Sequence, residues 1–253
     1  MRRTVTISIE QLQRPQPGGI ATYVRGLAAG LHALADPELE VVGLGARGAA
    51  ADAALPVRVV SAPVGVRLLT RLWPLWPLGV PKDADVVHAT SMAGPFGGGS
   101  RSAVHSVAMH DLLWRDEVGV STPAGIRFHD HQLRYIADHK ELRVLVTSPG
   151  LTVRLVDEGI DATRVHYVRL GVDEDAVTAE PESMLRSFLT EHGVPGPFTL
   201  YAGTREPRKN IARLLEAHTI ASASNPELGT LVLAGPSGWG GVATGDAVVL
   251  GQV

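Results

Sequence analysis

The first candidate site in this sequence is a short basic segment. Arg205, Arg208 and Lys209 lie within Gly203 to Asn210, between an apolar run and a helical pattern. Cations are unfavourable in the first turn of a helix, because the helix N-terminus carries partial positive charge. Their presence there indicates that an anion such as a phosphate group binds at this segment. A solvated charged loop is the alternative interpretation.

Two further candidates are a pair of glycines and a histidine that is followed by an aspartate. Gly18 and Gly19 precede a helical pattern, and without side chains their backbone N–H groups could approach a phosphate. His110 and Asp111 follow an apolar run, where an imidazole could donate to a sugar hydroxyl or to developing negative charge. A flexible turn and a capping histidine are the respective alternatives. The glycine-rich run from Gly235 to Gly240 is a fourth candidate.

Apolar runs that alternate with helical patterns would position these residues. Several of the runs are apolar nearly throughout, which favours parallel strands covered on both faces and hence a doubly wound α/β lobe. Ligands of such sheets bind beyond the carboxyl ends of the strands, where the candidates lie. The predicted strands of the first lobe are 4–9, 39–44, 57–60, 84–89, 104–109, 143–147 and 165–170, with a helix at 149–158.

The domain organisation follows from a change in composition after Val172. We expect a Rossmann-like N-terminal lobe over residues 1–173, a linker over 174–195 and an incomplete second lobe over 196–253. The linker is assigned because its first part is acidic and has no strand pattern. The second lobe is predicted to contain strands at 198–202, 230–234 and 248–253 and a helix at 210–223.

Composition excludes several classes of function. The chain of 253 residues has 23 Lys and Arg against 26 Asp and Glu, a net charge of -3 that gives no global attraction to nucleic acid. It contains no cysteine, so disulfides and thiolate metal sites are absent. No signal peptide and no membrane span of about 20 apolar residues are found, and a cytoplasmic location is therefore expected.

Two competing motifs fit their context poorly. Gly43 to Gly48 matches G-x-G-x-x-G, which raises a dinucleotide-dependent oxidoreductase as a rival. This motif belongs after the first strand, with an acidic residue about 20 positions on, and neither condition is met. His129, His131 and His139 are separated by steps of two and eight, which do not align metal ligands on a helix. We therefore expect solvent-facing histidines and no metal site.

The segment from Arg67 to Val80 is rich in leucine and tryptophan. It could lie on a membrane beside a lipid-linked acceptor, since Trp and Arg suit membrane interfaces. A core helix followed by a loop is the favoured alternative, because Pro74 and Pro77 interrupt any long amphipathic helix.

Taken together, the motifs resemble those of the group-1 glycosyltransferases, retaining enzymes of the GT-B fold. The resemblance extends from about residue 5 to residue 253, and the ordered set of motifs is more specific than any one of them. The residues that carry it are Gly18-Gly19-Ile20, His110-Asp111, Leu170-Gly171-Val172-Asp173 and the run from Tyr201 to Asn210.

The resemblance implies roles for individual residues. His110 would be the catalytic residue in contact with the donor sugar, and Tyr23 and Asp111 would lie on the acceptor side. Breaking the sugar-phosphate bond concentrates negative charge on the leaving nucleotide, and one preorganised donor aimed at it contributes about 3–4 kcal/mol. Many relatives have an arginine directly after the glycine of the basic motif, where this sequence has Thr204. The implied donor-binding residues are Gly18, Gly19, Thr204, Arg205, Arg208 and Lys209.

The function implied is transfer of a sugar, of which mannose is a common family choice, from a nucleotide-diphosphate donor to a glycan or lipid-linked acceptor. Retention of configuration, no cofactor, no metal and peripheral contact with the inner face of the membrane are also implied. The family's second lobe continues to a Glu-x7-Glu motif, so we expect a truncated second lobe. The alternative is a non-catalytic, acceptor-binding relative that needs a second chain to complete the donor lobe.

Overall fold

The computed structural model describes residues 2–49, 54–96, 103–116, 121–172, 181–238 and 240–252. The chain divides into two compact units, residues 1–116 with 121–172, and residues 117–120 with 173–253. Of the predicted features, Asp173 and the linker residues 174–180 lie outside the described residues. Each unit is described below by itself.

The first unit contains a seven-stranded parallel sheet. Its order is β3-β2-β1-β4-β5-β6-β7, so the strand order reverses between β1 and β4. Crevices at such a reversal are where doubly wound sheets bind ligands. The strands are β1 (Arg3–Ser8), β2 (Leu39–Gly45), β3 (Arg58–Ser61), β4 (Val86–Ala89), β5 (Val104–Met109), β6 (Arg143–Val146) and β7 (Val165–Tyr167).

Five helices accompany this sheet in the described residues. On one side of the strand reversal, Val24 of the first helix packs with Ile7 and Val41 of the sheet. On the other side, Ile136 and Leu155 pack with strand residues such as Val144. The helices are α1 (Gly18–Ala33), α2 (Val66–Leu72), α3 (Leu113–Asp116), α4 (Pro123–Asp138) and α5 (Pro149–Asp157).

The second unit contains a three-stranded parallel sheet of order β10-β9-β8. Its strands follow the sequence prediction closely, because each is a short apolar run between turn residues. The elements are α6 (Glu182–Glu191), β8 (Phe198–Ala202), α7 (Ile211–Ser222), β9 (Thr230–Ala234) and β10 (Val248–Gly251).

Helix α6 lies inside the segment 174–195 that the sequence predicts to be a linker. Leu189 of this helix is buried in a cluster with Val194 and Val232, so the helix is part of the second unit. An ion pair between Glu182 and Arg186, one helical turn apart, adds local support. The acidic run that ends at Glu182 concealed this helix, because the helix begins at the last residue of that run.

The leucine- and tryptophan-rich segment forms a core helix, as favoured by the sequence. Leu69 and Trp73 are fully buried, and the Trp73 indole Nε1–H donates to the carbonyl oxygen of Leu78 at 3.0 Å. Leu75 and Trp76, however, remain more than half exposed. Within the described ranges, none of the helices has the length and apolar character needed to cross a bilayer.

Candidate functional site

The glycine pair lies at the start of α1. The sequence indicated that both glycines precede the helix. In the structure the helix begins at Gly18, so both glycines belong to its first turn. Gly18 has a φ of +61°, a left-handed conformation that favours glycine. A β-carbon built on Gly18 or Gly19 would meet no atom within 4 Å. Space above this backbone is therefore open to a ligand.

Tyr23, one turn further along α1, contacts a buried histidine. Its hydroxyl lies 3.0 Å from Nε2 of His88, whose Nδ1 lies 2.9 Å from the Ser106 hydroxyl. Burial, assisted by the nearby charge of His110, lowers the pKa of His88 to about 4. Burial also raises the pKa of Tyr23 to about 12. Both groups are therefore neutral near pH 7, and a neutral imidazole can accept from one hydroxyl and donate to the other.

His110 follows β5 and lies against Tyr23. The two ring centroids are 5.0 Å apart in an edge-to-face arrangement. Nε2 of His110 lies 2.9 Å from the carbonyl oxygen of Thr90, which can only accept, so Nε2 carries the proton. In the neutral ring Nδ1 is then an acceptor, and no described residue donates to it. His110 can thus receive a proton at Nδ1, and it can donate from Nδ1 only as an imidazolium.

Thr90 connects this histidine to the strand reversal. Its hydroxyl donates to the carbonyl oxygen of Ser8 at 2.8 Å, and its backbone N–H donates to the Ser8 hydroxyl at 3.0 Å. Both residues are buried, and these bonds join the carboxyl ends of β1 and β4. Because buried polar groups are costly unless paired, this network fixes the carbonyl that orients His110.

Asp111 is exposed next to this cluster. One of its carboxylate oxygens accepts from the backbone N–H of Leu113 at 3.1 Å, so the side chain caps the short helix α3. The second carboxylate oxygen of Asp111 accepts no hydrogen bond from a described residue, and it is available to a ligand.

In the second unit, Arg205 is largely committed to backbone contacts. Its guanidinium donates to the carbonyl oxygen of Gly235 at 2.7 Å, and its backbone pairs with the chain at Ser237. Thr204 is half-buried, and its carbonyl oxygen accepts from the Tyr201 hydroxyl at 3.1 Å. Arg205 thus joins the ends of β8 and β9, whereas the Thr204 contact lies within the β8 end.

The remaining two cations differ in their freedom. Arg208 forms an ion pair of 2.5 Å with Glu206, whose own side chain is mostly buried. Lys209 is exposed, and it has no ion pair with any described residue. Of the basic segment, Lys209 is therefore the cation that has neither an ion pair nor a side-chain hydrogen bond among the described residues.

The structure brings Gly18, Tyr23 and His110 to one region of the first unit, and it adds polar residues that the sequence analysis missed. These are His88, Thr90 and Ser106. A histidine inside the otherwise apolar run 86–89 was the signal that could have found His88. The cations belong to the second unit, and their convergence with the first cluster stays a prediction.

Among the histidines considered as metal ligands, His131 is exposed as predicted, whereas His129 is placed differently from the expectation. His129 is half-buried and stacks on Trp114 with ring centroids 4.8 Å apart, and it does not face solvent as predicted. Helix α4 turns it toward the core because Leu133 and Ile136 share that side. The histidine and carboxylate side chains of the described ranges form no group of three that could hold a metal ion.

Comparison with known protein families gives one match. The model of the glycosyl transferase 4-like domain matches residues 18–171, which is more than half of the chain. This stretch contains Gly18, Tyr23, His88 and His110. A search among curated protein sequences found no match.

Solved structures of similar fold include two glycosyltransferases and a protein that binds UDP and glucose. Anabaena Alr3699/HepE, crystallised with UDP and glucose, superposes with a TM-score of 0.61 at 16% identity, covering 100% of this chain and 70% of that one. WaaG, a glycosyltransferase involved in lipopolysaccharide biosynthesis, superposes with a TM-score of 0.59 at 14% identity, covering 93% of this chain and 64% of WaaG. A glycosyltransferase from Rickettsia africae ESF-5 superposes with a TM-score of 0.54 at 13% identity, covering 93% of this chain and 61% of that one. The chain therefore has the α/β fold of the GT-B type that the sequence predicted.

Proposed function

Because this chain belongs to the family of the glycosyl transferase 4-like domain, we propose that it transfers a sugar from a nucleotide-diphosphate donor to an acceptor hydroxyl, with retention of configuration. The observation that carries this proposal is the polar cluster at the strand reversal, with His110 held by Thr90 and edge-on to Tyr23. Ligands bind at such reversals in doubly wound sheets, and the cluster presents an acceptor nitrogen there.

His110 contacts the donor sugar in this proposal. Nε2–H of His110 is bonded to Thr90, so its Nδ1 lone pair accepts a hydrogen bond from a sugar hydroxyl. This contact orients the sugar ring for transfer. The open backbone at Gly18 and Gly19 gives room for the diphosphate to approach the start of α1.

Lys209 and Arg208 receive the charge of the departing nucleotide. Breaking the bond between sugar and phosphate leaves negative charge on the diphosphate, and a preorganised cation at that position lowers the barrier. Lys209 is the stronger candidate because the charge of Arg208 is already partly balanced by Glu206. Thr204 and Arg205 hold the loop that presents these cations.

A uridine diphosphate sugar is the first donor to test. HepE was crystallised with UDP and with UDP-glucose, and it shares this fold. GDP-mannose is the second donor, and a glycan or a lipid-linked glycan is the acceptor class. No resident cofactor or metal ion is included in the proposed reaction.

Thermal unfolding in the presence of UDP-glucose and GDP-mannose tests donor binding. A ligand at 100 times its dissociation constant adds about 2.7 kcal/mol to the free energy of unfolding, which is a measurable shift. The charge reversal Lys209→Glu is expected to abolish this shift, whereas Lys82→Glu, at an exposed site in the first unit, leaves it unchanged. If the shift survives in Lys209→Glu, the phosphate assignment is wrong.

Product stereochemistry tests the reaction. With a donor that binds, NMR of the product or of slow donor hydrolysis is expected to give the anomer of the donor. His110→Ala is expected to lower kcat about tenfold or more and to weaken donor binding by a smaller factor, because it removes one hydrogen bond to the donor sugar. Release of the opposite anomer would overturn the proposal of retention.

A further inference from the structure

A hollow opens beside the candidate site in the first unit. It has a volume of about 720 Å³ and is lined by residues 13–16, after β1, and residues 65–68, at the start of α2. Ligand sites commonly enclose about 300–1,000 Å³. The two lining segments follow β1 and β3, so the hollow lies at the carboxyl edge of the sheet. The first segment leads directly to Gly18.

Arg14 brings a poorly compensated positive charge to this hollow. Its Nε is buried, and no described residue accepts a hydrogen bond from it. Glu10 is the neighbouring carboxyl group, but burial raises the pKa of Glu10 more strongly than the charge of Arg14 lowers it. The described residues include no ion pair between the two side chains. A buried Nε–H without an acceptor is costly, and Arg14 itself lines the hollow, so an anion bound there would supply a counter-charge to its guanidinium.

Arg67 adds a second guanidinium on the other wall. It is exposed, and its side chain forms no ion pair with any residue in the described part of the chain. The described residues that line the hollow include no carboxylate, and Val66 and Leu68 give it an apolar portion. The hollow therefore combines two cations with an apolar surface, which suits an anion attached to a less polar group.

We propose that Arg14 and Arg67 bind a phosphate group of the acceptor in this hollow. The inference rests on the proposed transfer reaction and specifies its acceptor as a phosphate-bearing glycan or lipid-linked glycan. The planar guanidinium group presents paired N–H donors that match phosphate oxygens. Because the connection from residue 13 to residue 19 borders both the hollow and the glycine pair, a phosphate held here places the rest of the acceptor near the donor.

Binding measurements with simple phosphate probes test this assignment. We expect glucose 6-phosphate, but not glucose, to bind the full chain saturably. Arg14→Gln and Arg67→Gln are each expected to weaken this binding about tenfold or more, since each removes a charge-assisted contact. Arg71→Gln is the matched control, because it lies on the same helix but does not line the hollow. Arg67 is exposed, so its variant tests the proposal even if Arg14→Gln folds poorly.

A second arm identifies the source of the phosphate. Vesicles of phosphatidylcholine with and without phosphatidic acid replace the sugar phosphate, with the same three variants. Binding only to the anionic vesicles, lost in the Arg14 and Arg67 variants, supports the proposal with a lipid phosphate. Binding of glucose 6-phosphate with that variant pattern supports it with a soluble or glycan phosphate.

Two results would overturn the inference. One is that neither probe binds, and the other is that Arg71→Gln weakens binding as much as Arg14→Gln and Arg67→Gln. Donor binding separates this failure from failure of the proposed function. If UDP-glucose or GDP-mannose binds wild type and Arg67→Gln equally while no phosphate probe binds, the transfer function stands and the acceptor assignment is wrong.

Discussion

At the residue scale, His88 organises the candidate site without facing the ligand itself. Its two ring nitrogens contact Tyr23 and Ser106, and it is almost completely buried. In the neutral ring that burial favours, one nitrogen accepts and the other donates, so both hydroxyls are hydrogen-bonded at once. The burial that keeps His88 neutral therefore also maintains the position of the Tyr23 hydroxyl.

Acid should destabilise the protein through His88. Because burial lowers its pKa from 6.5 to about 4, the unfolded chain binds this proton at a higher pH than the folded chain. The stability that the folded protein has with a neutral His88 is fully present above about pH 6.5 and is lost as the pH falls toward about 4. At pH 5 the loss is about 2 kcal/mol. Urea unfolding of wild type at pH 7 and pH 5 is expected to show it.

His88→Gln is the matched variant for this prediction, since glutamine can donate and accept but does not titrate. It should lose about 2 kcal/mol less than wild type between the two pH values. The raised pKa of Glu10 has the opposite sign, but it contributes equally to both proteins. Equal acid losses in the two proteins would refute a buried neutral His88.

Removing the Tyr23 hydroxyl should impair the reaction more than the fold. Tyr23→Phe leaves Nε2 of His88 without its partner, which costs about 1 kcal/mol of stability. If the hydroxyl also binds the acceptor, kcat/KM falls about tenfold further through KM for the acceptor, while donor affinity stays constant. Tyr167→Phe, on an exposed tyrosine of β7, is the control. An unchanged KM for the acceptor would argue against the acceptor role.

At the element scale, the parallel strands were predictable because each is a short, apolar run. The strands 104–109, 198–202 and 230–234 have the observed limits, because each is an apolar run that is bounded by turn residues. Helix α6 was missed because the acidic run that ends at its first residue was interpreted as a linker. The packing of this helix on Val232 includes it in the second unit. Local pattern does not reveal a helix whose stability comes from tertiary contacts.

The site was predictable only in part for the same reason. Glycines and charged residues stand out in a sequence, and Gly18, His110 and Lys209 were proposed from their type and position. The contact between His110 and Thr90 joins residues 20 apart, and the contact between Ser8 and Thr90 joins residues 82 apart. Such partners depend on the strand order, which the sequence pattern alone does not determine.

The loop ends of β8 and β9 require glycine at position 235. Gly235 has a φ of +126°, and a β-carbon there would lie 2.3 Å from the carbonyl oxygen of Gly203. Gly235→Ala should therefore destabilise the second unit by about 2 kcal/mol and displace the segment that carries Arg205. Its donor affinity should fall as well. Gly196→Ala, where a β-carbon meets nothing within 4 Å, is the control for thermal unfolding and donor titration. Wild-type donor affinity in Gly235→Ala would contradict this.

At the scale of the whole molecule, the described chain has hydrophobic clusters that each lie within one unit. The first unit contains three clusters and the second contains two smaller ones. Domains with separate cores can unfold separately, and the smaller core is expected to be the less stable. The second unit is expected to be less stable also because Phe198 and Leu200, on one face of β8, leave apolar side chains exposed.

We therefore predict two unfolding transitions that respond to different core substitutions. Leu233 and Leu155 are both fully buried, the first in the second unit and the other in the first unit. Leu233→Ala should lower the earlier transition by about 3 kcal/mol and leave the later one in place, and Leu155→Ala should do the reverse. Differential scanning calorimetry measures both transitions in one experiment. A single transition shifted equally by the two substitutions would mean that the units unfold cooperatively, because coupling then exceeds the difference between their stabilities.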